Sequence, residues 1–357
     1  MKSRYWIALS LLASGAALTW LLVATFTPET RAFIGEVGTT ALLLALGFRG
    51  AAIFCRVVRI GALCRGLGYT VPFLSLTITQ LLSLFAGSLT PGQVGGEPVR
   101  IHRLTRSGLA VGDAGAVVVT ERVLDLAVLI LITLAALLAL QHLWGYLAAI
   151  ILYPVAAFLA LVLALMLGLL LLIRRPSFMK RVMGRITLGV LSRCSRSRRW
   201  LRFCPGTEGA GSLTTTIDRE VEAFSAGFSR FAGAGRRAAR SALLLTAFEW
   251  SFYYATASAL LIALGLPPSL PESFLFQGVI QMIAALPLIP GSAGIAEIGA
   301  ATLYRQLVPT YLLGLFVVLW RLITYYLNIP FGLLATALAA REKKGGEDAD
   351  RRRTENL

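Results

Sequence analysis

The sequence predicts an all-α polytopic membrane protein with about six full spans plus two Pro-Gly-broken (re-entrant) hairpins in an inverted repeat. Of its 357 residues, 57% are hydrophobic and 15% are charged, against roughly 25% charged in soluble domains. Continuous apolar runs recur at a length that spans a bilayer, which takes about 20 helical residues. Because backbone in lipid must satisfy its own hydrogen bonds, and because these runs do not alternate, the spans are helices rather than barrel strands.

Two hydrophobic segments are interrupted by nearly the same sequence, PGQVGGE at 91–97 and PGSAGIAE at 290–297. Proline lacks a backbone donor and glycine permits unusual turns, so each sequence predicts a break in a helix. Broken helices at corresponding points of two halves are typical of transport sites. A tight turn on the membrane surface is the alternative for either break, and the duplication argues against it.

The remaining apolar runs supply the full spans. The first run is longer than the hydrophobic part of a signal peptide, so it is predicted to be a span. Spans are predicted at about 6–26, 38–60, 115–140, 146–173, 241–264 and 311–338, with broken segments at 71–108 and 272–307. Length alone leaves open whether each broken segment is a re-entrant hairpin or a pair of closely packed spans. Residues 1–340 form a single transmembrane domain in this interpretation.

Lysine and arginine mark the cytoplasmic side of membrane proteins. Basic residues near the N-terminus, from Arg56 to Arg65, in 174–240 and from Arg341 onwards are therefore predicted to be cytoplasmic, as are both termini. The two broken segments then enter the membrane from opposite faces. The first half, 1–145, and the second half, 146–340, become inverted repeats in the cytoplasmic (inner) membrane of a prokaryote.

The segment 174–240 holds fifteen Lys or Arg and four Asp or Glu, which predicts a basic cytoplasmic insert. It contains two amphipathic stripes, one through Phe178, Val182, Ile186 and Val190, the other through Ile217, Val221, Phe224, Phe228 and Phe231. Such helices either lie flat on an anionic membrane or form a small cap on the bundle. The polar end, 341–357, predicts a disordered cytoplasmic tail. The net charge of +16 is therefore attributed to the membrane surface and not to nucleic acid.

Several ionisable residues lie within apolar spans: Arg49, Glu121, Arg122, Asp125, Glu249 and Arg321. Each would cost about 2.5–3.5 kcal/mol at the centre of a lone spanning helix. We therefore expect them to face one another or a polar cavity. Glu121 and Asp125 share a helix face and would repel, so an arginine other than Arg122 should neutralise them. Structural ion pairing is the alternative, and Glu121 and Arg122 could instead reach the cytoplasmic interface.

No catalytic motif, nucleotide-binding loop or metal-binding spacing appears in the chain. The four cysteines form no CxxC pair, and the two histidines are far from completing a metal set. We expect no cofactor and no metal, and a transporter is favoured over an enzyme.

Four motifs, in order, resemble the transmembrane region of lysylphosphatidylglycerol synthases. They read TPGQVGGEPVR at 90–100, VVVTERVLDLAVLILI at 117–132, LPLIPGSAGIAEIGAATL at 286–303 and WRLITYYLNIPFG at 320–332. In two-part members of that family this region acts as a flippase for an aminoacylated phospholipid, and a separate cytosolic domain makes the lipid. We expect a stand-alone member, because no segment here resembles the synthase domain.

The resemblance implies a site at the motif residues for binding a lipid headgroup. These are Pro91, Gly92, Gly95, Glu97, Arg100, Glu121, Arg122, Asp125, Pro290, Gly291, Gly294, Glu297 and Arg321, with Arg49 and Glu249 as additional candidates. A lipid phosphate would lie between Arg100, Arg321 and backbone amides of the breaks. Glu97 and Glu297 would hold an amine or a proton.

The resulting hypothesis is a flippase-like lipid transporter that moves a phospholipid or lipid-linked headgroup. The alternatives are a membrane-embedded transferase or accessory subunit acting on lipids, and a non-catalytic scaffold that uses the basic insert. The expected partners are membrane lipids: an anionic or aminoacylated phospholipid, or a lipid-linked sugar. A lipid-modifying enzyme and a second copy of the chain are also compatible partners.

Overall fold

The fold is given by a computed structural model that describes residues 18–90, 94–139, 207–284 and 294–355, with isolated positions at 15–16 and between 160 and 181. These ranges consist of helices joined by turns and short loops, which confirms the predicted all-helical class. Most of span 4, most of the first amphipathic stripe and the Pro-Gly residues of both breaks lie outside the described residues.

The helices are numbered in chain order. They are α1 at 18–25, α2 Pro28–Phe33, α3 Thr39–Gly66, α4 Phe73–Ser88, α5 Gly96–Arg106, α6 Val111–Ala139, α7 Thr207–Ala232, α8 Arg236–Ala263, α9 Leu270–Ala284, α10 Ile295–Tyr304, α11 Thr310–Arg321 and α12 Asn328–Glu355. A 3-10 turn, Ile34–Glu36, connects α2 to α3, and a π-helical turn, Leu322–Tyr326, connects α11 to α12.

Two described helical stretches are both long and apolar enough to cross a bilayer, Thr39–Gly66 and Thr310–Glu342. Large side chains on their outer surfaces, such as Leu43, Phe54 and Leu333, are exposed. An exposed apolar surface of this kind is what lipid-facing helices present. The predicted number of spans stays a prediction.

Helices α3 and α8 form the central antiparallel pair of the bundle. At one end the Gly38 amide donates to the Ala263 carbonyl at 2.8 Å. At the other end Gly66 faces Ala238, where an added Cβ would approach that alanine's Cβ to 2.7 Å. The small residues let the two backbones come close along their whole length.

The first broken segment is a helical hairpin. The Gly95 amide donates to Thr90 Oγ1 at 2.8 Å, and Ser83 Oγ donates to the Gly96 carbonyl at 3.0 Å. Helix α5 therefore runs back along α4. It has 11 residues and is about 16 Å long, too short to cross a bilayer.

The second broken segment also folds back on itself, because Gln277 Nε2 of α9 donates to the Tyr304 hydroxyl of α10 at 3.1 Å. Gly294 begins the return with a φ of 82°, a left-handed conformation that favours glycine. Its amide donates to Glu297 Oε2 at 2.7 Å, so the glutamate caps its own helix. Whether either hairpin is re-entrant in the bilayer stays a prediction.

Helix α7 carries the second predicted amphipathic stripe and packs on the start of α6. Val221 and Phe231 are buried, and the Gly112 amide donates to Glu220 Oε2 at 2.7 Å. A Cβ at Gly112 would lie 2.3 Å from the Glu220 carbonyl oxygen, so glycine permits the contact. Of the two expected arrangements, the cap on the bundle is the one observed for this helix.

Helix α12 continues to Glu355 and so extends into the segment 341–357, whose disorder stays a prediction. An existing helix extends at low cost, since each added residue gains one hydrogen bond without a new nucleus. Arg103 Nη2 donates to Glu342 Oε2 at 2.7 Å and ties α12 to α5.

Candidate functional site

Eleven charged side chains from six helices converge inside the bundle, and we refer to them as the charge cluster. They are Arg49, Arg56, Arg59, Glu97, Arg100, Glu121, Arg122, Asp125, Glu249, Glu297 and Arg321. Every predicted charged site residue belongs to this cluster. Two members, Arg56 and Arg59, were not predicted as site residues.

Arg59 is the centre of the charge cluster and is fully buried. Its Nε donates to Glu121 Oε1 at 3.0 Å, and its Nη1 donates to Asp125 Oδ1 at 2.6 Å. The same Nη1 lies 2.9 Å from Glu249 Oε2 and donates to Thr246 Oγ1 at 3.0 Å. Glu121 and Asp125 repel each other, and an arginine other than Arg122 was expected to neutralise them. That arginine is Arg59.

The placement of Arg56 and Arg59 corrects the sequence-based interpretation, which treated both as flanking charges of the cytoplasmic side. Arg56 forms an ion pair with Glu249 inside the bundle. The sequence did contain one signal for this. Arg56 follows Arg49 by seven residues, so both lie on one face of α3.

Both terminal nitrogens of Arg100 donate hydrogen bonds to neighbouring helices, and its side chain does not line the cavity described below. Its Nη1 donates to Glu121 Oε2 at 2.6 Å, and its Nη2 donates to Ser83 Oγ at 3.0 Å. These bonds fasten α5 to α6 and α4. Arg100 therefore positions other residues. The sequence had instead predicted that it would hold a lipid phosphate.

The glutamates of the two duplicated motifs each bond to an arginine of the next long helix. Arg122 Nε donates to Glu97 Oε1 at 2.6 Å, and Arg321 Nε donates to Glu297 Oε1 at 2.9 Å. The side chains of the first pair are 27% and 42% exposed, for Glu97 and Arg122. The second pair is buried, so the two halves are not in equivalent environments.

A cavity of about 290 Å³ lies among these ion pairs. Seven members of the charge cluster line it: Arg49, Arg56, Glu97, Arg122, Asp125, Glu249 and Arg321. The rest of the lining is of three kinds. It is apolar at Leu126, Leu129 and Ile280, aromatic at Trp250, Tyr253, Trp320 and Tyr325, and polar at Ser88, Gln281, Thr324 and Asn328. A space with charges of both signs and apolar walls suits an amphipathic ligand.

Aromatic rings flank two arginines of the cavity. The Arg49 guanidinium carbon lies 5.3 Å from the centre of the Tyr253 ring. The Arg321 guanidinium carbon lies 4.9 Å from the centre of the Tyr325 ring. Such cation–π contacts stabilise a guanidinium that has left water.

The π-helical turn at Leu322–Tyr326 shapes one wall of the cavity and connects the two halves. Pro330 explains its position, because proline cannot donate to the carbonyl four residues earlier, that of Tyr326. Beyond the turn, Asn328 Nδ2 donates to Ser88 Oγ at 3.1 Å, and the Tyr325 hydroxyl donates to the Ser88 carbonyl at 2.9 Å. The end of α4 is thereby tied to the start of α12.

The structure brings most of the predicted site together. Gly95 and Gly294 shape the returns of the two hairpins, while Pro91, Gly92, Pro290 and Gly291 lie outside the described residues. The sequence did not predict Ser83, Ser88 and Asn328 as site residues, because single polar residues in apolar helices form no recognisable pattern.

Comparisons with known proteins agree with the membrane character of the fold. A family model described as "Lysylphosphatidylglycerol synthase TM region" matches residues 6–332. A protein of Archaeoglobus fulgidus named "UPF0104 membrane protein" is 32% identical over 286 residues, which cover 78% of this chain and 80% of that protein.

Proposed function

This chain belongs to the lysylphosphatidylglycerol synthase transmembrane-region family, membrane proteins related to lipid handling, and from that premise we propose that it is a flippase-like lipid transporter. Its substrate is a phospholipid or a lipid-linked headgroup. Its site is the cavity among the ion pairs.

The observation that carries the proposal is the mixed lining of this cavity. Moving a headgroup through a bilayer requires groups that replace its hydration, because charges in hydrocarbon are costly. Arg122, Asp125 and Arg321 supply charged partners, whereas Leu126 and Leu129 supply apolar walls. The two hairpins border the cavity through Glu97 and Ala296, as the broken helices of transporters border their sites.

The two glutamate–arginine pairs act as alternating gates in this proposal. The partly exposed pair, Glu97–Arg122, corresponds to an open gate, and the buried pair, Glu297–Arg321, to a closed one. By the positive-inside rule, the first hairpin enters from the cytoplasm and both termini lie there. The described conformation then opens towards the cytoplasm, in the cytoplasmic membrane of a prokaryote. A lipid-modifying enzyme is a compatible partner that would deliver the substrate.

Reconstituted vesicles test the proposal. Fluorescent phosphatidylglycerol, phosphatidylethanolamine and lysylphosphatidylglycerol are each placed in vesicles with and without the protein, and exchange between leaflets is followed by quenching from outside. Transport of at least one lipid is expected, with a loss of at least about tenfold in Glu97→Gln and Arg321→Ala. Glu36→Gln is the matched control, because Glu36 is exposed and does not line the cavity.

Two results would count against the proposal. One is that no tested lipid exchanges faster than in protein-free vesicles. The other is that both cavity variants transport at the wild-type rate. Mass spectrometry of the same vesicles separates the transferase alternative, since appearance of a new lipid species would favour an enzyme.

A further inference from the structure

The charge cluster has one more arginine than it has carboxylates. Five arginines form ion pairs with the five carboxylates: Arg56, Arg59, Arg100, Arg122 and Arg321 with Glu97, Glu121, Asp125, Glu249 and Glu297. Arg49 is the sixth arginine. No carboxylate among the described side chains lies within 4.0 Å of its nitrogens.

Most of the segments outside the described residues contain no carboxylate that could pair with Arg49. Neither Asp nor Glu occurs in 1–14, 91–93, 140–206 or 285–293. The acidic residues whose side chains the structure does not describe are Glu208, Glu347, Asp348, Asp350 and Glu355. The excess of one positive charge therefore holds for the described side chains.

Arg49 is only 6% exposed and lines the cavity. Its Nη2 donates to Asn328 Oδ1 at 2.9 Å, and its Nε has no hydrogen-bond partner among the described residues. The Tyr253 ring, 5.3 Å from the guanidinium carbon, compensates part of the charge. A buried guanidinium whose other partners are one neutral acceptor, and which keeps one free donor, is still costly. A bound anion would remove that cost.

The orientation of Asn328 is set by its other partners. Its Nδ2 donates to Ser88 Oγ at 3.1 Å and lies 3.4 Å from the Thr324 carbonyl oxygen. With the amide nitrogen occupied there, the amide oxygen faces Arg49. Asn328 thus holds the guanidinium in place and leaves its charge uncompensated.

We propose that Arg49 forms an anion subsite and that the cavity selects a phosphate-bearing headgroup of net charge −1 over zwitterionic and cationic headgroups. A phosphodiester supplies one negative charge and two oxygens that match the planar donors of arginine. A bound monoanion makes the charge cluster neutral. The lipid source of this phosphate rests on the proposed function, whereas the subsite itself is defined by binding.

The carboxylates of the cluster give a second, independent reason for this preference. Glu97, Asp125 and Glu249 line the cavity, but each already has an arginine partner. An ammonium group on the ligand would have to displace a guanidinium from one of them. A lysylated headgroup, which carries more ammonium groups than phosphates, would also add to the positive excess and is therefore disfavoured.

Binding measurements on the full-length chain in detergent test the subsite directly. The probes are short-chain phosphatidylglycerol, phosphatidylethanolamine and lysylphosphatidylglycerol, with glycerol 3-phosphate and inorganic phosphate as soluble probes. Phosphatidylglycerol is expected to bind at least about tenfold tighter than the other two lipids. Arg49→Gln is expected to remove this preference. Arg65→Gln, the same change at an exposed position of α3, is expected to retain it.

A second variant covers the case in which Arg49→Gln fails to fold. Asn328→Asp has nearly the same shape and gives Arg49 a carboxylate, and this ion pair offsets the loss of the hydrogen bonds that Nδ2 donates. It is expected to bind phosphatidylglycerol at least about tenfold more weakly. Wild-type affinity and preference in Asn328→Asp would overturn the proposal, as would equal binding of the three lipids by the wild type.

The remaining outcomes separate this inference from the proposed function. Glycerol 3-phosphate or inorganic phosphate binding as tightly as phosphatidylglycerol would overturn the lipid assignment. Arg49-dependent binding of phosphatidylglycerol without any transport would support the subsite and contradict the flippase. Transport that is equally fast for all three lipids and unaffected by Asn328→Asp would support the flippase and contradict the subsite.

Discussion

Glu297 accepts a hydrogen bond from Arg321 Nε at 2.9 Å, across a separation of 24 positions. Glu97 has the same relation to Arg122, at 2.6 Å and across 25 positions. Both glutamates lie in the first turn of the short helix after a break. Each arginine is the twelfth residue of the next helix, counted from Val111 and from Thr310. This repeated geometry supports a structural repeat, whereas the inversion of the two halves stays a prediction from the distribution of lysine and arginine.

The two pairs should differ in their contribution to stability because they differ in burial. Removing one partner of a buried ion pair costs about 3–5 kcal/mol. A pair that is partly open to solvent, as Glu97–Arg122 is, contributes less because solvent screens its charges. Glu297→Gln is therefore expected to lower the Tm in detergent clearly more than Glu97→Gln does. Equal shifts for the two variants would contradict the assignment of a closed and an open gate.

Arg59 should be the most sensitive single position for stability. Its removal leaves Glu121, Asp125 and Glu249 facing one another inside the bundle with fewer cationic partners. We expect Arg59→Gln to destabilise the fold by about 3–5 kcal/mol, measured as a large fall in Tm. The control is Arg65→Gln on the same helix, which should change the Tm little. A small effect of Arg59→Gln would show that the ion pairs are dispensable.

Close packing of the first hairpin should require glycine at position 96. A Cβ there would lie 2.6 Å from the Ser83 carbonyl oxygen, which is backbone and cannot move aside alone. Gly96→Ala is expected to lower the Tm and to reduce lipid transport by separating α5 from α4. Gly50→Ala on α3 is the control. Its Cβ would meet nothing within 4 Å, and alanine favours helices by about 1 kcal/mol over glycine.

A pH-dependent contribution is expected outside the membrane-spanning segments, at Tyr69. Its hydroxyl donates to Asp113 Oδ2 at 2.7 Å, and this bond, aided by burial, raises the pKa of Tyr69. A raised folded-state pKa means that the neutral phenol is favoured. The stabilisation is complete below the ordinary pKa of about 10 and is lost as the pH rises through the raised value.

Melting curves between neutral pH and strongly alkaline pH check this expectation. Tyr69→Phe should lower stability by about 1 kcal/mol at neutral pH. The difference between variant and wild type should shrink only above the ordinary tyrosine pKa. A difference that disappears well below that pH would assign the effect to another group.

The sequence predicted the helical class, both broken segments and most charged members of the site. These predictions succeeded because charges and Pro-Gly breaks are rare in apolar helices, where each needs a structural or functional reason. Arg59 could not be found in this way, since an arginine near the end of a span looks the same whether it faces lipid headgroups or a buried carboxylate. Its partners Thr246 and Glu249 are distant in sequence, and only packing of α3 against α8 brings them together.

The cavity wall formed by Asn328, Ser88 and the π-helical turn could not be predicted from the sequence either. Asparagine and serine are common and neutral, so they give no charge signal. The turn follows from Pro330, but the bond from Asn328 to Ser88 joins positions 240 residues apart. Such contacts depend on the tertiary arrangement of the two halves and not on any local pattern.

The most direct test of lipid transport through gated hairpins is a charge exchange at the buried gate, read out as the rate of fluorescent phosphatidylglycerol exchange between leaflets. Glu297→Arg and Arg321→Glu, each alone, place two like charges together and should abolish transport. The double exchange restores an ion pair at the same place and is predicted to recover a measurable part of the wild-type rate. Transport that persists in both single variants, or exchange in wild-type vesicles no faster than in protein-free vesicles, would contradict the account.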